Sequence, residues 1–167
     1  MEAICRSWEQ NGIRVRCRIL PPPSDVPQSA FYAALTERYT AYCASLTGLR
    51  GFSGDIVCLL TLHAAQHASL YSVWEDVAEW RGASLTLWRR ETQCWLLPGE
   101  HLLSPRRLLT LCGCRHPLRK RFDGYILRDG ALVGCRNRFT PGMEQGMRRS
   151  EYRQFIEEIP LAALPEA

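Results

Sequence analysis

Hydrophobic and polar residues alternate strictly near the start of the chain, over residues 12–19. The apolar members of this stretch are Ile13, Val15, Cys17 and Ile19, and the basic members between them are Arg14, Arg16 and Arg18. A period of two predicts a strand with one buried face and one face in water. The preceding run, residues 4–8, is predicted to be its hairpin partner, because Asn11-Gly12 favours a two-residue turn.

Apolar residues at helical spacing predict one long helix, over about residues 28–47. They are Phe31, Leu35, Tyr39, Tyr42 and Leu46. The prolines at 21–23 end the strand before this helix, and Gly48 stands where a C-terminal cap is expected. We expect the aromatic stripe to pack on a sheet as core rather than to form a ligand site.

The middle of the chain has the composition of three consecutive strands, predicted at 55–67, 69–81 and 83–97. A short helix is the alternative for the second of these segments, because it carries several acidic residues. A further short helix is predicted at about 105–112, where Ser104 is a suitable N-cap and Pro105 a suitable first residue. Gly113 and Pro117 follow closely and limit its length.

Two apolar runs meet at Arg128-Asp129-Gly130, and Asp-Gly supplies the positive φ of a tight hairpin turn. The last apolar run, residues 155–164, is predicted to be a closing strand. The sequence therefore predicts an α+β fold, in which a mainly antiparallel sheet carries a long helix (about 28–47) and a short helix (about 105–112). We expect a single domain over 1–167, with a strand-helix part at 1–50 and the meander with the remaining elements at 51–167.

Composition narrows the classes of function. With 46% hydrophobic and 23% charged residues, the chain has ordinary globular composition. The net charge is +4, but the basic residues are spread along the chain, so nucleic acid is not an expected partner. No apolar run approaches the roughly 20 residues of a membrane-spanning helix, and the first residues lack a signal-peptide pattern. We therefore expect a cytoplasmic protein without a membrane partner.

The order of features from residue 85 to 164 resembles the C-terminal domain of the RsiV-type anti-sigma factors. The shared features are a strand ending in tryptophan, a Pro-Gly turn, spaced leucines, an apolar hairpin, an aromatic residue before a polar loop with glycine, and a terminal Ile-Pro. The matching positions are Trp95, Gly99, Leu103, Leu108, Phe122, Gly130, Leu132, Val133, Phe139, Gly146, Ile159, Pro160 and Leu164.

This resemblance implies an α+β fold with a helix packed against a mainly antiparallel sheet. Some members of the family are sensors that bind lysozyme, and related domains are appended to cell-wall deacetylases. The chain departs from the family pattern after Phe139, where the usual tyrosine has no counterpart. Lysozyme recognition is therefore not carried over to any residue.

The cluster Cys112, Cys114 and His116 is the sharpest candidate for chemistry. Thiolates and imidazole bind zinc, but a structural site needs four ligands and this spacing supplies three in a cramped arrangement. The basic residues that follow, including Arg119 and Arg121, would lower a nearby thiol pKa and favour redox chemistry. A small thiol-based redox or metal-binding enzyme is therefore the alternative function, although no metal or other cofactor is the expectation.

Two further groups are predicted to be ordinary. Glu75, Asp76 and Glu79 are close in sequence, as in a solvated strand edge, rather than arranged as a hydrolase pair. His63 and His67 have the spacing of a helical metal pair, but their segment is predicted to be a strand that leads into a turn.

No catalytic motif is present, so we expect a bacterial binding or accessory domain rather than an enzyme. Its partner is expected to be a protein or peptide at a sheet face or edge. The candidate binding residues are the arginines of the first alternating stretch and of the later basic run, namely Arg14, Arg16, Arg18, Arg119 and Arg121.

Overall fold

A computed structural model describes residues 2–21, 30–97, 101–114, 122–140 and 153–164. The first two strands are β1 (Ile4–Gln10) and β2 (Ile13–Leu20), followed by the helix α1 (Ala30–Ser45) and a 3-10 turn at Leu46–Gly48. Three long strands follow, β3 (Gly54–His67), β4 (Leu70–Arg81) and β5 (Ser84–Leu96). The remaining elements are β6 (His101–Leu102), α2 (Pro105–Leu111), β7 (Gly124–Arg128), β8 (Ala131–Thr140) and β9 (Arg153–Ala163).

These strands form two sheets, so the prediction of one mainly antiparallel sheet is only partly right. The first sheet has the order β1-β2-β3-β4-β5-β6, and the second has the order β7-β8-β9. All neighbours are antiparallel except β2 and β3, which run parallel because α1 connects them as a crossover. The α+β class is confirmed, and the first sheet is mixed.

The turns that the sequence predicts are present. Asn11 and Gly12 have φ of 53° and 75°, and Asp129 and Gly130 have φ of 50° and 71°. Positive φ at both central positions is the requirement of the two-residue turn that matches strand twist. The hairpins β1–β2 and β7–β8, and the closing strand β9, are therefore confirmed.

The first sheet has an inner face that packs on α1 and an opposite, outer face. The alternation predicted for residues 12–19 is present in β2, because Ile13, Val15, Cys17 and Ile19 are buried and the three arginines between them are exposed. Inner-face residues of β2, β3 and β4 form the main core with α1, including Ile13, Ile56, Leu60 and Val73. The meander prediction is confirmed, and the helical alternative for residues 70–81 is wrong.

The predicted helices are confirmed, with α1 lying inside the predicted span. Leu35, Tyr39 and Leu46 of its stripe are buried, whereas Tyr42 is 40% exposed. In α2, Ser104 caps the N-terminus by accepting a hydrogen bond from the Arg107 backbone N–H. No helix among the described residues is long and apolar enough to span a bilayer.

The second sheet packs on the outer face of the first, mainly against β5 and to a smaller extent against β3 and β4. A second core forms there, with α2 and the strands β7 and β8 around Cys94, Leu108, Leu127 and Leu132. The strands β1 and β2 lie at the opposite end of the strand order from β5. Their outer face is therefore apart from the contact between the two sheets.

Candidate functional site

Two buried glutamates lie on the inner face of β4, below α1. Glu75 and Glu79 are 5% and 2% exposed, so the prediction that they belong to a solvated edge is wrong. Their neighbours at a period of two, Val73 and Val77, are also buried. Asp76 points to the outer face, as alternation requires.

Glu79 is fully paired. Its carboxylate accepts hydrogen bonds from the Tyr42 hydroxyl at 2.7 Å, from Arg81 Nε at 2.9 Å and from Thr86 Oγ1 at 3.1 Å. These three donors satisfy the hydrogen-bonding needs of the buried carboxylate. Glu79 therefore attaches the helix α1 to the sheet and has a structural role.

Glu75 is held differently, in a cleft of about 300 Å³ between α1, β4 and β5 that we call the carboxyl cleft. Its lining residues are Arg38, Tyr39, Tyr42, Glu75, Val77, Arg89 and Glu91. Burial, together with the charge and the hydrogen bond of Glu91, raises the pKa of Glu75 to about 7. Near neutral pH the Glu75 carboxyl is therefore protonated part of the time, and in that form it can donate a hydrogen bond to Glu91.

Arginines close the carboxyl cleft on its solvent side. Arg38 Nη2 lies 3.3 Å from Glu75 Oε1 and 3.8 Å from Glu91 Oε2, and Arg89 Nη1 lies 3.1 Å from Glu91 Oε1. Both carboxyl groups are therefore engaged with each other and with arginines. Glu75 is enclosed by these contacts, whereas Glu91 is 47% exposed at its side chain.

A second ion cluster joins the two sheets and is centred on Arg90, whose side chain is 8% exposed. Arg90 binds Asp76 with two hydrogen bonds of 2.6 and 2.7 Å and also binds Glu158 of β9. Burial would raise the pKa of Asp76, but hydrogen bonds from Arg90 and His63 hold it below its ordinary value. His63 thus lies on a strand and pairs with a carboxylate, and it is not part of a helical metal pair.

The predicted thiol cluster is only partly described. Cys112 is 5% exposed, and burial raises its pKa to about 11, which disfavours the thiolate at neutral pH. Cys114 is partly exposed, and its backbone N–H binds the Leu109 carbonyl in the α2 C-terminal turn. His116, Arg119 and Arg121 lie outside the described residues. No group of three or more ligand side chains suited to a metal ion occurs within the described ranges.

A different group of thiols meets in the main core. Cys17 and Cys58 are opposite each other in β2 and β3, and Cys43 of α1 hydrogen-bonds both. These hydrogen bonds, and then burial, raise the pKa of Cys43 strongly. The three side chains act as small core residues.

The predicted arginine row lies on the outer face of β2, next to β1, which forms the free edge of the first sheet. Arg14 donates to Glu9 at 3.1 Å, and Arg16 donates to Asp55 at 2.9 Å. Arg18 has no carboxylate within ion-pair distance among the described residues.

Next to this row is a groove of about 340 Å³ that we call the edge groove. It is lined by Cys5, Arg6, Ser7, Arg16, Cys17, Arg18, Val57 and Cys58. A groove of this size is at the lower end of known ligand sites, which span about 300–1,000 Å³. The structure thus shows that Arg16 and Arg18 line an open groove. The sequence predicts only that they share one face of a strand.

Comparison with protein-family models and with curated protein sequences finds no match to this chain.

Proposed function

We propose that the chain is a non-enzymatic protein- or peptide-binding domain, similar to the C-terminal domain of the RsiV-type anti-sigma factors. The partner binds at the free edge of the first sheet, beside the edge groove. The observation that carries the proposal is the position of β1, which is the terminal strand of the sheet and has a neighbour on one side only among the described strands.

The backbone of β1 is prepared for strand addition. Gln10 and Ile13 flank a two-residue turn and so form a hydrogen-bonded pair, and pairs then alternate along the hairpin. The N–H and C=O groups of Cys5, Ser7 and Glu9 consequently point away from β2. In agreement, the Cys5 carbonyl accepts a hydrogen bond from the Arg6 side chain at 3.2 Å rather than from β2.

The carboxyl cleft supports an enzyme less well. Catalysis by two carboxyl groups needs at least one of them to face the substrate or an attacking water. Here Glu75 bonds Glu91, and Arg38 and Arg89 occupy the remaining carboxylate oxygens. By contrast, an edge strand with unpaired backbone groups needs only an extended partner.

The proposal is tested by affinity capture from a lysate of the source organism with matched variants at one residue. Ser7→Ala keeps the outward N–H, whereas Ser7→Pro removes it without removing a hydrogen bond to β2. We expect wild type and Ser7→Ala to retain the same protein and Ser7→Pro to lose it, with unchanged unfolding transitions. Equal retention by Ser7→Pro, or no specific protein retained by wild type, would contradict the proposal.

A further inference from the structure

We infer that the segment bound at β1 is an acidic strand, whose carboxylates bind Arg16 and Arg18 across the edge groove. This inference rests on the proposed function and specifies the chemistry of the partner. It follows from the charges, the size of the side chains on β1 and the spacing of the arginines.

The charges on the outer face are unbalanced at one position. Three guanidinium groups, those of Arg14, Arg16 and Arg18, lie beside two carboxylates, those of Glu9 and Asp55. Arg14 and Arg16 have these carboxylates as partners, whereas Arg18 has none among the described residues. A carboxylate that reaches Arg18 would therefore pair without displacing another, and one beside Arg16 would join Asp55 on a guanidinium that has several donors.

The side chains of β1 leave the arginines accessible from the free edge. Cys5 lies opposite Arg18 and Ser7 lies opposite Arg16, and both are small and exposed. Glu9, opposite Arg14, is longer and already paired. A strand added to β1 would lie about 4.8 Å beyond it. Its outer-face side chains would stand beside Cys5 and Ser7, whose small side chains leave room for a long acidic side chain to approach Arg18 and Arg16.

The spacing of the arginines also matches an added strand. Side chains on one face of a strand recur every second residue, about 6.6 Å apart, which is the separation of Arg16 and Arg18 on β2. An acidic residue at every second position of the partner would thus meet one guanidinium each. The alternate positions of the partner would face the side of Ile4, Arg6 and Trp8, and of these Ile4 and Trp8 pack against the main core.

Two other occupants fit less well. A nucleic acid would offer phosphates to the arginines, but it would leave the outward C=O groups of β1 unpaired. Within the described ranges, no aromatic side chain lines the edge groove for stacking. A second copy of this chain would bring Glu9 as the only carboxylate of its β1, and Arg14 already binds that group.

The experiment measures binding of a fluorescent peptide of alternating glutamate and valine by anisotropy. Wild type should bind it with an affinity that falls with added salt. Arg18→Glu should weaken binding by roughly tenfold or more, because it removes a charge-assisted contact and adds a like charge. Arg106→Glu, on the exposed surface of α2, is the matched control and should bind as wild type does.

Several outcomes would overturn the inference. The wild type could fail to bind the glutamate-valine peptide, could bind a lysine-valine peptide equally well, or could bind oligothymidylate more tightly. Arg18→Glu could bind the glutamate-valine peptide with the same affinity as the wild type. The wild type could also dimerise with rising concentration in a way that Ser7→Pro abolishes. If the peptide fails while a lysate protein is still lost on Ser7→Pro, the acidic partner is wrong and the edge-binding function stands. If Ser7→Pro changes neither, both fail.

Discussion

Glu75 on β4 lies directly opposite Glu91 on β5, so that two carboxyl groups of adjacent strands meet at the floor of the carboxyl cleft. Glu75 is buried and Glu91 is 47% exposed at its side chain. Like charges opposite each other destabilise a sheet. The pair therefore costs stability whenever both groups are ionised.

Glu75→Gln should remove this cost and make the protein more stable at alkaline pH. The pKa of Glu75 rises from 4.5 to about 7 on folding, so the folded state holds its proton more tightly than the unfolded state. Stability is consequently lost as pH rises from about 4.5 to about 7, by up to about 3 kcal/mol. Urea unfolding across this range should show the two proteins converging at low pH. A constant difference between them at all pH values would contradict this origin.

Arg90→Ala should be strongly destabilising, by about 3 kcal/mol, because it leaves Asp76 and Glu158 without their shared cation. Its neighbour in sequence provides the control. Arg89 is 48% exposed and pairs with Glu91 at the surface, so Arg89→Ala should change the free energy of unfolding by about 0–1 kcal/mol. Denaturant unfolding of the two variants measures the contrast, and equal losses would show that Arg90 does not hold the sheets together.

Gly134→Ala should destabilise the second sheet by about 1–3 kcal/mol. A Cβ at this position would lie 2.5 Å from the Phe122 ring, well inside contact distance. Replacing Phe122 by the smaller leucine should recover part of the stability that Gly134→Ala loses. A double-mutant cycle of Gly134→Ala and Phe122→Leu should therefore show a favourable coupling energy. At Gly48 a Cβ meets no atom within 4 Å, so Gly48→Ala is the control and should cost little.

Thiol labelling should divide the eight cysteines into two groups. Cys5 is exposed and Cys114 is partly exposed, so these two should react first with a soluble maleimide at neutral pH. The remaining cysteines are buried and should react only on unfolding. Mass spectrometry of partly labelled protein locates the modified sites. Rapid labelling of Cys112 would contradict its burial and would favour the alternative thiol-based function.

Local patterns predicted the elements well because each depends on neighbouring residues. Alternation in residues 12–19 is enough for β2, and Asn11-Gly12 and Asp129-Gly130 are enough for two hairpins. The stacking of two sheets was not predictable in this way. From the local sequence, polar residues such as Asp76 and Arg90 predict a strand face in contact with water. In the structure they bind each other, and Arg90 also binds Glu158 of β9.

The candidate site was predictable only in part for the same reason. The exposed arginines of β2 follow from their period of two. The free edge follows only from strand order, which depends on the parallel pairing of β2 with β3. Glu75 did carry a local signal, since it lies between the buried Val73 and Val77 at a period of two. This position is overlooked when every charged residue is assumed to be exposed to solvent.

The parallel pair of β2 and β3 also sets the order in which the chain can fold. The strands β3, β4 and β5 join through short turns and can pair early, whereas β2 reaches β3 only after the 33 positions between Leu20 and Gly54 have been closed into a loop. We expect amide protons of β2 to gain protection after those of β4 in pulsed hydrogen exchange. Until β2 pairs with it, β3 is an edge strand with unpaired backbone groups that could pair with another chain. The N-terminal hairpin therefore protects β3 from intermolecular strand pairing, but only late in folding.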